Sequence, residues 1–266
     1  MLRTALLAAS LLFAMTRPAA AQEVQGSRVR YDLSRATLYF DADALSPEQM
    51  GQFAVLVDRG IADIDSLLNH NTAGTSRITY VVRDDGGISR SFRRTVMIPA
   101  DRVRRRAAPY LHETVHILVP MREDCLWLSE GFASYVQSYV AENIGGYDGI
   151  VFSWGGNRNI ERLAKRTLAS DRGRAALPYV GGAGQPDDIF EKRREVAEPL
   201  YVLSHSFVKF IVDAIGLDRV KTWVQTRGIA ERAAELTGHT VDDWKAAWLA
   251  SMTAASATTG DDSPSR

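Results

Sequence analysis

The chain is 266 residues long, 45% hydrophobic and 24% charged, with 32 basic residues against 32 acidic ones. That balance gives no electrostatic case for binding nucleic acid, and a single cysteine, Cys125, excludes an internal disulfide. The length suits one two-lobed domain or two small ones.

Arg3, the apolar run from Ala5 to Met15 and the small residues Pro18-Ala19-Ala20-Ala21 have the order of a secretory signal peptide over residues 1–21, with the mature chain starting near Gln22. A periplasmic or secreted protein is expected. Loss of Arg3 and Arg17 would leave 30 basic residues against 32 acidic, a net charge near −2. The apolar run is shorter than the roughly 20 residues of a membrane helix, and no later segment approaches that length, so no stable membrane insertion is expected. In an oxidising compartment Cys125 reads as a small buried hydrophobe rather than a nucleophile or ligand.

From Val29 to Phe40, short apolar and aromatic runs predict two strands or a hairpin. Ser46-Pro47-Glu48 is a helix start, and Phe53, Leu56, Val57, Ile61, Ile64, Leu67 and Leu68 recur at helical spacing to about Asn69. His70 reads as an exposed imidazole at that helix end. Arg77 to Arg83 is a predicted strand, Asp84-Asp85-Gly86-Gly87 a turn, and Thr95 to Ile98 another strand. If the strand before the next helix is a sheet edge, its unpaired backbone can take an extended peptide. Eight arginines between Arg83 and Arg106 fit a solvated face and a basic helix entry better than recognition of acidic substrate groups.

His112-Glu113-Thr114-Val115-His116 follows, on a helix expected to start near Ala108-Pro109 and to stop before Pro120. Residues four apart share a helix face, so His112 and His116 can present two imidazole nitrogens to one Zn²⁺, with Glu113 about 100° round. The next predicted helix buries Trp127, Leu128, Phe132, Tyr135, Val136, Tyr139 and Val140 and carries Glu130. Asp124 is its expected cap and Gly145-Gly146 its end. The glycines at Gly155-Gly156 and Gly181-Gly182-Ala183-Gly184 lack the lysine and hydroxyl residue of a phosphate-cradling loop, which argues against nucleotide binding. Asn159 to Leu168 reads as a polar helix between them.

From Pro199, the residues Leu200, Leu203, Phe207, Phe210 and Ile211 mark a helix that ends at Gly216. Shorter helices are expected near Asp218 to Gln225, Ile229 to Leu236 and Val241 to Ala250, the last capped by Thr240 after a turn at His239. Residues 253–266 have the composition of a disordered tail. Strands and one helix come first and helices afterwards, an α+β order. It predicts a β-rich lobe over residues 22–119 that ends in the His112–His116 helix and a helical lobe over 120–252, with the metal helix at their junction.

A catalytic zinc takes three protein ligands and keeps one position for water. The third ligand beside His112 and His116 is Glu123, Asp124 or Glu130; Glu130 is favoured because its helix can pack antiparallel to the first. Glu113 has a use only if the metal hydrolyses something: it takes the proton of the water and hands it to the leaving amine.

The stretch His112 to His116 followed by Trp127-Leu128-Ser129-Glu130-Gly131-Phe132-Ala133 resembles the gluzincin metallopeptidases, in particular the aminopeptidase N-like group, and still more the small bacterial peptidase MA-like domains. The resemblance covers residues 109–140 well and 199–249 weakly. It implies a thermolysin-like zincin fold, with His112, His116 and Glu130 as zinc ligands and Glu113 as base. It also implies an oxyanion donor, Tyr201, three residues before Ser204 on the helix of the C-terminal half; His205 on the same helix is the competing donor. Three departures limit it. The thirteen residues between His116 and Glu130 are fewer than in the aminopeptidases, Ser129 stands where they have asparagine, and no G-x-M-E-N segment is present to hold a free amino terminus. The expectation is a zinc-dependent endopeptidase acting on a peptide or protein by attack of zinc-bound water. The alternatives are a non-catalytic zinc-stabilised peptide-binding domain and a zinc hydrolase of cell-wall peptides.

Overall fold

The structure, a computed structural model, describes residues 21–25, 27–69, 77–121, 125–147, 156–182 and 194–254. The expected signal peptide up to residue 20, His70, Glu123, Asp124, Gly155, Ala183-Gly184 and the tail from residue 255 lie outside the described residues.

Six strands form one mixed sheet: β1 (Ala21–Gln25), β2 (Arg28–Asp32), β3 (Ala36–Asp41), β4 (Ile78–Arg83), β5 (Arg90–Phe92) and β6 (Thr95–Pro99), in the spatial order β1-β2-β3-β4-β6-β5. β1 to β3 are antiparallel neighbours, β3, β4 and β6 are parallel, and β5 turns back antiparallel to β6 as the sheet's edge. Period-two alternation decides the faces. The register sets Leu38, Tyr80, Val96 and Ser91 side by side. On that face Leu38, Phe40, Ile78, Tyr80, Val82, Val96 and Ile98 are buried, whereas Tyr39, Val81 and Met97 on the other remain partly exposed.

Two helices cover the buried face, α1 (Pro47–Leu67) and α3 (Tyr110–Leu118), with the short α2 (Ala100–Arg104) leading from β6 to α3. α1 starts where the sequence puts it. Ser46 Oγ accepts from the Gln49 backbone N–H and Gln49 Oε1 accepts from the Ser46 N–H, a reciprocal cap in front of Pro47. Phe53, Val57, Ile61, Ile64 and Leu68 are buried as their spacing predicts. α3 is pinned to the sheet by Tyr80, whose hydroxyl lies 2.5 Å from Thr114 Oγ1, while the Thr114 hydroxyl donates to the Tyr110 carbonyl.

The rest is mainly helical: α4 (Leu126–Tyr139), α5 (Gly156–Ala169), α6 (Asp171–Ala176), α7 (Arg194–Ile215), α8 (Leu217–Val224), α9 (Ala233–Thr237) and α10 (Val241–Ala254). α4 runs on through one π-turn, Val140–Ile144, and stops at Gly145 and Gly146, both at positive φ. No described helix is long and apolar enough to cross a membrane. α9 is shorter than the segment Ile229 to Leu236, and α10 takes in Thr253 and Ala254. α7 begins five residues ahead of Pro199. Proline leaves the Glu195 carbonyl without its helical partner, and Arg172 Nε supplies one at 2.8 Å.

α4 and α7 pack closely. Gly131 permits this: a Cβ there would lie 2.5 Å from the Ser204 carbonyl oxygen. Around the contact, Trp127 packs on Phe207 and Trp223, and Phe207 on Trp248. Cys125 lies half-buried against this core.

Candidate metal centre

α3 is buried along nearly its whole length, since the sheet lies on one side of it and α4 on another. His112 and Glu113 are 9% and 7% exposed. The contacts between the two helices run in opposite senses. His116 Nδ1 lies 3.3 Å from Ser129 Oγ, His112 Nδ1 lies 3.5 Å from Ser134 Oγ, and the His112 backbone N–H donates to Gln137 Oε1. The helices are therefore antiparallel, the arrangement that lets Glu130 reach both histidines.

The two Nε2 atoms point at one spot. They are 3.0 Å apart; Glu130 Oε2 is 2.9 Å from His112 Nε2, and its Oε1 is 3.5 Å from His116 Nε2. Four ligands at about 2.05 Å around a tetrahedral zinc stand about 3.3 Å from one another. The two edges at His112, 3.0 and 2.9 Å, come close to that, Glu130 approaches His116 through its other oxygen, and one donor atom from each residue lies within 4.8 Å of the others. Without a metal, opposite tautomers let one Nε2–H donate to the other ring's Nε2; with both rings protonated on Nδ1, the two Nε2 lone pairs face the same point, which is the form a cation takes up. Donor chemistry and spacing both fit Zn²⁺, and the three residues form a metal-competent cluster.

The electrostatics have the same sense. Burial alone would raise the Glu130 pKa, but the charge of His116 and hydrogen bonds from both histidines hold it well below the carboxylate range. For His116, burial opposes the charged form, and the charge and hydrogen bond of Glu130, with Glu113 behind them, outweigh it and raise the pKa. Glu113 thus acts on the same small volume.

Of the two candidate oxyanion donors on α7, one reaches the cluster. The Tyr201 hydroxyl hydrogen-bonds to Glu130; burial and the carboxylates of Glu130 and Glu113 push its pKa up, so it carries its proton. His205 is 1% exposed, and its Nε2 donates to Asn157 Oδ1 at 2.7 Å, while Asn157 Nδ2 donates to the Tyr135 carbonyl. Burial, then the fields of His112 and Lys209, lower the His205 pKa to about 3. The ring is neutral, and its one N–H is already taken up.

Sequence reasoning brings His112, His116, Glu130, Glu113 and Tyr201 to one place. It misses Ser134, Gln137 and Asn157. Ser129 stands out in the sequence only as a departure from asparagine, and here its hydroxyl lies against His116. The remaining signal is positional: Ser134 follows Glu130 by one helical turn.

No protein-family model matches the chain, and no curated protein does. Solved structures do. A two-domain M1 zinc metallopeptidase mutant bound to L-tryptophan aligns with a TM-score of 0.51 at 13% identity, over 86% of this chain and 50% of that one. An M1 zinc metallopeptidase mutant from Deinococcus radiodurans gives 0.48 at 14% identity, over 86% of this chain and 51% of the other. The likeness is one of fold. The first alignment carries it, and the chain spans about half the length of the proteins it matches.

Proposed function

We propose that the protein is a zinc-dependent peptidase of the gluzincin type, built on a thermolysin-like zincin fold as in the small peptidase MA-like domains. The observation that carries the reading is the triangle of His112 Nε2, His116 Nε2 and a Glu130 oxygen, with the buried Glu113 beside it. Zinc held by these three residues would supply a Lewis acid that lowers the pKa of water toward about 7 and polarises a carbonyl.

The chain's own groups do the rest. Glu113 accepts the proton of the attacking water and delivers it to the departing amine. Tyr201, protonated and close to Glu130, donates a hydrogen bond to the oxyanion as charge develops; one such donor is worth about 3 kcal/mol of barrier. His205 is the weaker candidate because Asn157 holds its proton. Ser129 and Ser134 keep the two ligand rings oriented through Nδ1. The lack of an amino-terminus anchor supports internal cleavage, and the apolar N-terminal segment supports export.

The test compares bound zinc and hydrolysis of a peptide mixture for the wild type and Glu113→Gln. Zinc content should stay the same while cleavage falls by two or more orders of magnitude. Unchanged cleavage would sink the mechanism.

A further inference from the structure

Among the described residues β5 is the edge of the sheet, with no strand pairing its outer side, and β5 packs against α3, the helix that carries His112 and His116. Around this edge lie the two most exposed large apolar side chains among the described residues, Ile88 at 73% and Phe92 at 69%. Two arginines accompany them. Arg90 is exposed and gives Nε to the Met97 sulfur, and Arg93 is exposed and lies over the Phe92 ring. Neither has a carboxylate partner among the described ion pairs, although most other arginines of the sheet half do, including Arg28, Arg77, Arg83 and Arg104.

Natural proteins guard an edge with charge and with short strands, and both are present here. Guarding does not account for an exposed phenylalanine and isoleucine on the same edge. A strand edge, two exposed arginines without a carboxylate among the described ion pairs and two exposed apolar side chains are together what an extended acidic peptide would fill. We propose that Arg90 and Phe92 on this edge, with Arg93 beside them, determine specificity, selecting peptides with an acidic residue two positions from an apolar or aromatic one. The proposal rests on the peptidase reading and names the substrate class.

The register follows from the pleat. Arg90 and Phe92 share the outer face of the sheet, and Ser91 shares the other face with Val96. A strand added at this edge places side chains about 4.5–5.5 Å from those opposite, Cβ to Cβ. The acid of the peptide then meets Arg90, with Arg93 adding its charge from just beyond the strand, the apolar residue meets Phe92, and the residue between them turns to the face that α3 covers.

The experiment measures fluorescence-anisotropy binding of a labelled extended peptide with glutamate two positions from phenylalanine, and of its glutamine and lysine counterparts. The partner is the zinc-loaded full chain carrying Glu113→Gln, so that cleavage does not consume the probe. The glutamate peptide should bind roughly fivefold tighter than the glutamine peptide, with the gap shrinking in high salt. Arg90→Glu or Arg93→Glu should reduce the preference, and the pair should invert it toward lysine. Arg219→Glu on α8 makes the same change in net charge away from this edge and should leave it alone. Equal affinities for the three peptides, no binding of any, or the same effect from Arg219→Glu overturns the proposal. Wild-type cleavage is read separately: acid-selective binding without cleavage keeps the specificity of this edge and removes the peptidase reading, and cleavage without acid preference does the reverse.

Discussion

Two seams in the helical packing each bury histidine, and they treat it in opposite ways. Between α3 and α4, His112 and His116 turn their Nε2 atoms toward each other and toward Glu130, and each Nδ1 lies near a serine hydroxyl. Between α5 and α7, His205 gives its N–H to Asn157, which is itself held by the Tyr135 carbonyl. The first seam gathers two imidazoles and a carboxylate into a donor set that a cation can occupy, whereas the second ties its histidine to one neutral amide through Nε2 and leaves Nδ1 buried without a partner. Burial of a histidine therefore says little about function. What separates a metal site from a structural residue is whether its inner nitrogens converge on one another or on a neutral partner.

The largest consequence concerns acid. The His205 pKa is lowered in the fold, so the unfolded chain binds the extra proton between pH 6.5 and about 3. Its stabilising contribution is full above 6.5 and is lost as the pH falls through that window, on the order of 5 kcal/mol across the whole of it. Urea titrations between pH 6.5 and 5.5, above the range where ordinary carboxylates titrate, should show a flatter slope in His205→Gln than in wild type. Equal slopes would mean that the α5–α7 seam does not hold a neutral ring.

Glu130→Ala strikes the other seam. Removal of a ligand should weaken zinc by more than about a hundredfold, beyond the loss typical of outer-shell changes, read by competition with a chelator. Gly131→Ala comes next: a Cβ at 2.5 Å from the Ser204 carbonyl forces α4 away from α7. It should cost about 1–3 kcal/mol in thermal unfolding, and unchanged stability would mean that the helices are not locked there. The smallest effect is that of Ser129→Ala, about tenfold in zinc affinity with the melting temperature of the metal-free chain unmoved. If affinity does not change, Ser129 does not orient His116.

The sequence makes the first seam readable because its signals are local and dense. The spacing of His112 and His116, prolines at either end of the helix and a helical stripe around Glu130 place four site residues without a structure. The reciprocal cap at Ser46 and Gln49 makes the start of α1 equally clear. β5 is not legible in the same way. It has three residues, Arg90, Ser91 and Phe92, of which none is β-branched, and an arginine-rich stretch reads as solvated surface. Its place beyond β6 is a matter of topology. Pro199 reads as a helix start because proline suits a first turn, and only the distant Arg172 makes a proline inside α7 tolerable. Asn157 and His205 are 48 residues apart, so their pairing leaves no periodic trace.

The account stands on the convergence of two imidazoles and one carboxylate on a single cation. Zinc-edge X-ray absorption on the purified chain, with metal content measured alongside, tests it most directly. One zinc per chain, with two imidazole nitrogens and carboxylate oxygen in its first shell and with one imidazole missing in whatever zinc His116→Ala retains, is the predicted result. A chain that takes up no zinc from excess metal, or a first shell that His116→Ala leaves unchanged, would contradict it.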